Sequence, residues 1–189
     1  RSMERVRAVG GLRIAAPAFG AHTPGSPRID LLAAADRYRT LLELGAEIGV
    51  VPMVEVWGFS ANLSRLGEGL LVASESGHPD ASLLADVYHL YKGGSPVESL
   101  RPVRGGAIGI FHVNDYPDLP RETIGDADRV YPGDGIAPLP QILRLLHEIG
   151  YRGALSLELF REDLWREDPL RVARTGREKL EAQIARALG

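Results

Sequence analysis

Short, unbroken apolar runs recur along this chain, and between them lie longer stretches in which apolar residues return at every third or fourth position. The first kind of run predicts buried strands and the second amphipathic helices. Strands are predicted at Leu12 to Pro17, Val50 to Val56, Ser82 to Val87, Ala107 to His112 and Ala154 to Leu159. The clearest helical spacing is that of Leu31, Leu32, Ala35, Leu41, Leu42 and Leu44 within Ile29 to Ile48, closed by Gly45 and Gly49. Further helices are predicted near Ser60 to Ser76, from Leu139 to Ile149 and from Pro169 to Leu188, and Met3 to Val9 reads as the tail of another. Pro96 to Leu100 makes a short helix at most, and the stretches Phe19 to Pro27 and Asn114 to Gly135 are loops rich in Gly and Pro.

Strand and helix alternate, and the strands are apolar along their whole length, a pattern that argues for a parallel sheet covered by helices. Four of the strands share a further feature: each ends in a metal-ligand side chain, at Glu55, Asp86, His112 and Glu158. Singly, an acid at a strand end is commonly a helix N-cap or a loop ion pair, whereas a histidine closing a packed strand is harder to explain by packing. Jointly, four successive strands offering one oxygen or nitrogen ligand each at the same end predict a divalent metal site. Three carboxylates and one imidazole suit manganese, magnesium or cobalt, and are compatible with zinc.

The same four residues choose the architecture. An open doubly wound sheet is the competitor, but no Gly-x-Gly-x-x-Gly follows any strand, and strand ends converge on one centre most readily in a closed barrel. An α/β fold of the (β/α)8 TIM-barrel type is therefore expected, with residues 1–189 forming one domain. Only five strands are visible, whereas a complete barrel has eight in roughly 250 residues. The chain is expected to supply the C-terminal five β/α units, the missing strands preceding Arg1. The Leu12 and Ala154 strands should then be open edges, or pair with another copy to give a homo-oligomer.

Composition narrows the partners. Net charge is −3, from 22 basic and 25 acidic residues, which gives no electrostatic reason to bind nucleic acid or an anionic membrane surface. No run approaches the roughly 18 apolar residues of a membrane span, and the opening Arg1-Ser2-Met3-Glu4-Arg5-Val6-Arg7 lacks the apolar core of a signal peptide. The chain has no cysteine, which excludes disulfides, thiolate metal sites and cysteine nucleophiles and agrees with a reducing compartment. A cytoplasmic location and a small polar substrate are expected. His89, three residues past Asp86, is placed to hold a substrate oxygen, the bland alternative being a helix-start histidine facing solvent. His22, His78 and His147 read as ordinary, and Gly133-Asp134-Gly135 as a turn rather than a phosphate loop.

The runs Val54-Glu55, Leu84-Ala85-Asp86-Val87-Tyr88-His89, Phe111-His112-Val113-Asn114-Asp115 and Leu157-Glu158-Leu159 resemble the xylose-isomerase-like barrel superfamily of sugar phosphate isomerases and epimerases. Asp126 to Gly135, followed by Glu158-Leu159-Phe160, is most similar to its 2-keto-myo-inositol isomerase branch. The resemblance implies metal ligands at Glu55, Asp86, His112 and Glu158 and a substrate-binding histidine at His89. It also implies a small polyhydroxy carbonyl substrate that isomerises through an enediolate, with Glu55 and Glu158 exchanging the proton as acid and base. Arg129 is expected to reach the substrate from the long loop. A ketose 3-epimerase or an inosose- or shikimate-type dehydratase would use the same scaffold. A DNA-repair endonuclease would need a histidine-rich multi-metal site and a basic groove, against which five histidines and a negative charge count. A non-catalytic barrel fragment is the alternative from a different class.

Overall fold

A computed structural model describes all of residues 1–189. Its elements, in chain order, are α1 (Ser2–Ala8), β1 (Arg13–Ala16), α2 (Leu31–Ile48), β2 (Val51–Glu55), α3 (Leu66–Glu75), β3 (Leu83–Asp86), α4 (Val87–Lys92), β4 (Ile108–Val113), α5 (Leu139–Glu148), β5 (Ala154–Leu157) and α6 (Pro169–Leu188). The five strands pair in sequence order β1-β2-β3-β4-β5, all parallel, to form a half-barrel. No helix is long and apolar enough to cross a membrane.

Local chemistry explains where the elements stop. The Asp30 carboxylate caps α2 by accepting from the backbone N–H groups of Leu32 and Ala33 at 2.8 and 3.2 Å, and Gly49 ends the helix in the left-handed region at φ 82°. The middle strands carry the core: Val54, Leu83, Ala85 and Phe111 are buried against Leu42, Leu66 and Ile142 of the surrounding helices. The edge strands β1 and β5 are only partly covered, and the exposed Val9, Leu12, Trp165 and Leu170 lie near them in sequence. Neither edge is paired, and the Asn114 to Gly135 loop adds no strand, only one antiparallel bridge between Asp115 and Val130.

Two local expectations are corrected. The helix expected from near Ser60 begins only at Leu66, because residues 60–65 are fixed by loop contacts, among them the Asn62 amide donating to the carbonyls of Ala21 and Pro27 at 2.8 and 3.0 Å. Val87, expected as the last residue of a strand, instead opens the helix α4, so His89 does stand at a helix start but is buried and does not face solvent. The Gly133-Asp134-Gly135 segment is a turn, tied by Asp115, whose carboxylate accepts from the N–H groups of Gly133 and Ala137 at 2.9 and 2.8 Å.

Candidate metal and catalytic site

Strand register brings the site together. β3 and β4 pair Asp86 directly with His112, and β4 and β5 pair His112 with Ser156, two residues before Glu158. Asp86, His112 and Glu158 consequently offer one ligand atom each within 4.8 Å of one another. Glu55 stands apart from that trio. Its partner across β2 and β3 is Leu84, two residues short of Asp86, so it is offset along the sheet, although it lines the same cavity of about 510 Å³.

The trio fits a cation by its chemistry. The buried His112 Nδ1 lies 3.2 Å from Glu158 Oε2 and 3.7 Å from Asp86 Oδ2, yet it makes no hydrogen bond of acceptable geometry. A buried ring nitrogen this close to two carboxylate oxygens is a donor set that a shared cation would complete. The neighbours hold the ligands in place. Asp86 Oδ1 accepts from the His89 backbone N–H at 3.0 Å and so caps α4, while Oδ2 accepts from the Asn114 amide at 3.0 Å. Asn114 is fully buried, and its Oδ1 also accepts from the Tyr88 N–H at 3.0 Å.

Electrostatics divide the two glutamates. Burial, with added repulsion from Glu158 and Asp86, pushes the Glu55 carboxyl up to about 7, against a smaller downward pull from the Trp57 indole and His112. Burial also raises Glu158, but His112 and Arg129 outweigh it and hold the carboxyl down at about 2. Burial raises Asp86 as well, opposed chiefly by Arg129. His112 is lowered by burial and raised by more through the surrounding carboxylates.

Arg129, which is 1% exposed, crosses the site. Its Nη1 donates to Glu158 Oε2 at 2.6 Å and to Asp86 Oδ2 at 3.4 Å, and its Nη2 donates to Asp126 Oδ1 at 2.6 Å. Its guanidinium lies 4.4 Å from the Tyr88 ring centre and 4.9 Å from that of Phe160. His89 is buried and faces the cavity, not solvent. The Gly58 N–H donates to His89 Nδ1 at 3.1 Å, a close approach that only glycine allows, since a Cβ there would sit 2.5 Å from the His89 carbonyl. Burial, and then Arg129, push His89 down to about 3, so the ring is neutral and carries its proton on Nε2. That nitrogen is 3.1 Å from Arg129 Nη2, leaving two N–H donors face to face. An oxygen placed between them would satisfy both.

Sequence reasoning missed Asn114, Asp126 and α4. The Asp86-x-x-His89 spacing was itself a helix N-cap signal, whereas nothing local marks Asn114 or Asp126 as partners of residues far along the chain.

The sequence profile described as a xylose isomerase-like TIM barrel matches residues 1–183. The chain belongs to that family. Curated proteins similar to it include the inosose isomerase of Bacillus velezensis, 33% identical over 115 residues, covering 61% of this chain and 41% of that protein. The inosose isomerase of Halalkalibacterium halodurans is 31% identical over 138 residues, covering 71% of this chain and 49% of the relative. The chain thus spans about half the length or less of these relatives. Among solved structures of the xylose isomerase-like fold, a crystal structure of the IolI protein with a bound zinc atom superposes with TM-score 0.88 at 23% identity, covering all of this chain and 68% of that one. A xylose isomerase domain protein from Alicyclobacillus acidocaldarius matches with TM-score 0.79 at 26% identity, covering 99% of this chain and 70% of the other.

The raised Glu55 carboxyl has a consequence for stability. Its folded value of about 7 lies above the ordinary 4.5, so the folded protein holds this proton more tightly. Stability therefore falls as pH rises from the ordinary value through the folded one, and the cost is full above it. Glu55→Gln removes that cost. In EDTA at pH 8 the variant is expected to melt several degrees above the parent, for an upper bound on the order of 3 kcal/mol, with the gap closing near pH 4.5. Scanning calorimetry across pH checks it.

Proposed function

We propose that this protein is a divalent-metal-dependent isomerase that moves the carbonyl of a sugar or cyclitol along its carbon chain through an enediolate, as a 2-keto-myo-inositol isomerase does. The carrying observation is the pair of glutamates in one cavity with carboxyls held far apart in acidity, Glu55 at about 7 and Glu158 at about 2. Two titratable groups separated in this way divide the work of acid and base. The inosose isomerase relatives support the substrate class. The family's eight-stranded barrel supports reading residues 1–189 as its C-terminal five β/α units.

In this reading Glu158, ionised at neutral pH, accepts the proton from the carbon beside the carbonyl. Glu55 returns a proton at the former carbonyl carbon, and the hydroxyl proton of the first carbon passes to the former carbonyl oxygen, so that the carbonyl moves by one carbon. His89 donates its Nε2–H to a substrate oxygen, and Arg129 holds the same oxygen or its neighbour, with Tyr88 and Phe160 keeping the guanidinium in place. Asp86, His112 and Glu158 would hold the metal, Glu55 would be the fourth ligand, and Asn114 would position Asp86 through its hydrogen bond to Oδ2. A divalent ion supplies positive charge opposite the negative oxygen of the enediolate. Three carboxylates and an imidazole suit manganese, magnesium or cobalt, and also zinc.

Proton exchange tests the reading. Manganese-loaded protein incubated with 2-keto-myo-inositol in deuterium oxide is expected to give a product with the carbonyl on the adjacent carbon and deuterium at the former carbonyl carbon, located by NMR. Deuterium at one carbon with inverted configuration and an unmoved carbonyl would indicate an epimerase. Loss of water would indicate a dehydratase, and no exchange a barrel without catalysis.

A further inference from the structure

One guanidinium in this cavity is shared by three carboxylates. Arg129 Nη1 donates to Glu158 Oε2 at 2.6 Å and to Asp86 Oδ2 at 3.4 Å, and these are the same two oxygens that His112 Nδ1 faces at 3.2 and 3.7 Å. Nη2 donates to Asp126 Oδ1 at 2.6 Å and lies 3.1 Å from His89 Nε2. Arg129 Nε is buried with no partner, so this seat leaves one of the group's five donors unsatisfied. Arg129 thus occupies the oxygens that a bound cation would take.

The backbone that carries Arg129 is fixed on both sides. Before it, Asp126–Asp128 form a single 3-10 turn, closed by the Gly125 N–H donating to Asp128 Oδ2 at 2.8 Å. After it, Val130 exchanges two backbone hydrogen bonds of 2.9 Å with Asp115, two residues past β4. The Lys92 ammonium and the Tyr88 hydroxyl donate to the Ile124 carbonyl at 2.8 and 3.3 Å and tie the same loop to α4. A change of seat therefore falls to the Arg129 side chain alone. A divalent ion on Asp86 and Glu158 repels a guanidinium held by the same oxygens, and the repulsion is strong where water is excluded. A buried arginine parted from every carboxylate is costly as well. Asp126 resolves the conflict: it lines the cavity, lies outside the ligand trio, and its side chain is 37% exposed against 29% for Glu158 and none for Asp86. It is the one carboxylate of the three that a cation on the trio leaves free.

We propose that Asp126 is the positioning residue of Arg129: it draws the guanidinium off Asp86 and Glu158 when those oxygens take a metal ion, and seats it beside His89. Arg129 is then the counter-charge of the ligand set in the metal-free protein and a substrate contact in the loaded one. The inference rests on the metal site and the Arg129 contact proposed above and not on the carbonyl chemistry, so its readout is metal binding. Titration calorimetry of the full chain with manganese compares the parent with Arg129→Met, Asp126→Asn, Asp126→Glu and the Arg129→Met, Asp126→Asn double variant. Arg129→Met, or Arg129→Gln should the methionine variant not fold, is expected to bind manganese at least tenfold more tightly than the parent, because the competing cation is gone. Asp126→Asn is expected to bind it at least fivefold more weakly, since the guanidinium then stays on Glu158 and Asp86, and Asp126→Glu to remain within twofold of the parent. In the Arg129→Met background, Asp126→Asn is expected to change the affinity less than twofold. An Arg129 variant that binds no more tightly than the parent, an Asp126→Asn variant equal to it, or the same loss on Asp126→Asn with and without Arg129, which would make Asp126 a ligand itself, would each overturn the proposal. A parent that binds no manganese would overturn it together with the metal site, whereas the expected pattern in a protein that exchanges no deuterium would remove the isomerase reading and leave this one standing.

Discussion

Replacing His112 with alanine is expected to lower manganese affinity more than the roughly 10–100-fold that loss of an outer-sphere partner typically costs, and to abolish turnover with it. His112 pairs directly with Asp86 across the sheet, and its unbonded Nδ1 faces both carboxylates. Without the imidazole, Asp86 and Glu158 would confront each other across the gap with only Arg129 between them. His89→Ala makes the contrast. His89 lies outside the ligand trio, and its ring is committed to the Gly58 N–H and the cavity. That variant should bind manganese within a few-fold of the parent and lose turnover or substrate affinity. Equal metal loss in both, measured by titration calorimetry, would show that His89 is a ligand.

The second large effect belongs to Glu55. General acid–base groups typically contribute about 100 to 10,000-fold, and Glu55→Gln keeps the shape of the side chain while removing its proton exchange. We expect kcat to fall by about that factor, with KM nearly unchanged. Metal affinity should fall less than in His112→Ala, because Glu55 is offset from the closest three ligands. Glu158→Gln should lose both turnover and metal, since its carboxylate faces His112 and Arg129 together. The parent's kcat should also follow the ionisation of Glu55 near neutrality. A flat profile between pH 5.5 and 8.5 together with a mild Glu55→Gln phenotype would remove Glu55 from the chemistry.

The placing of these side chains was legible where a local signal carried it. A fully buried strand leaves little reason for a charged end, so Asp86 and His112 stood out in the sequence, and parallel pairing then set them side by side. The two-residue offset of Glu55 was not legible, because register is decided by contacts between strands and leaves no mark within either one. The five-strand count followed from apolar runs, and the half-barrel has that number in sequence order. α4 was hidden because Val87-Tyr88-His89-Leu90-Tyr91 continues the apolar run of β3, so that only the Asp86 cap marks the change of period. His22 read as an ordinary loop histidine and lies instead in a row of rings ending at His89, a set of long-range contacts that no spacing announces.

In the proposed metal site Asp86, His112 and Glu158 share one divalent ion. An anomalous difference map from crystals of the protein soaked in manganese chloride measures it without reference to any substrate. A single strong peak within ligand distance of Asp86, His112 Nδ1 and Glu158, with Arg129 displaced from Glu158 Oε2, is the predicted result. A map with no peak there, or with the guanidinium still seated between the two carboxylates at saturating manganese, would contradict it.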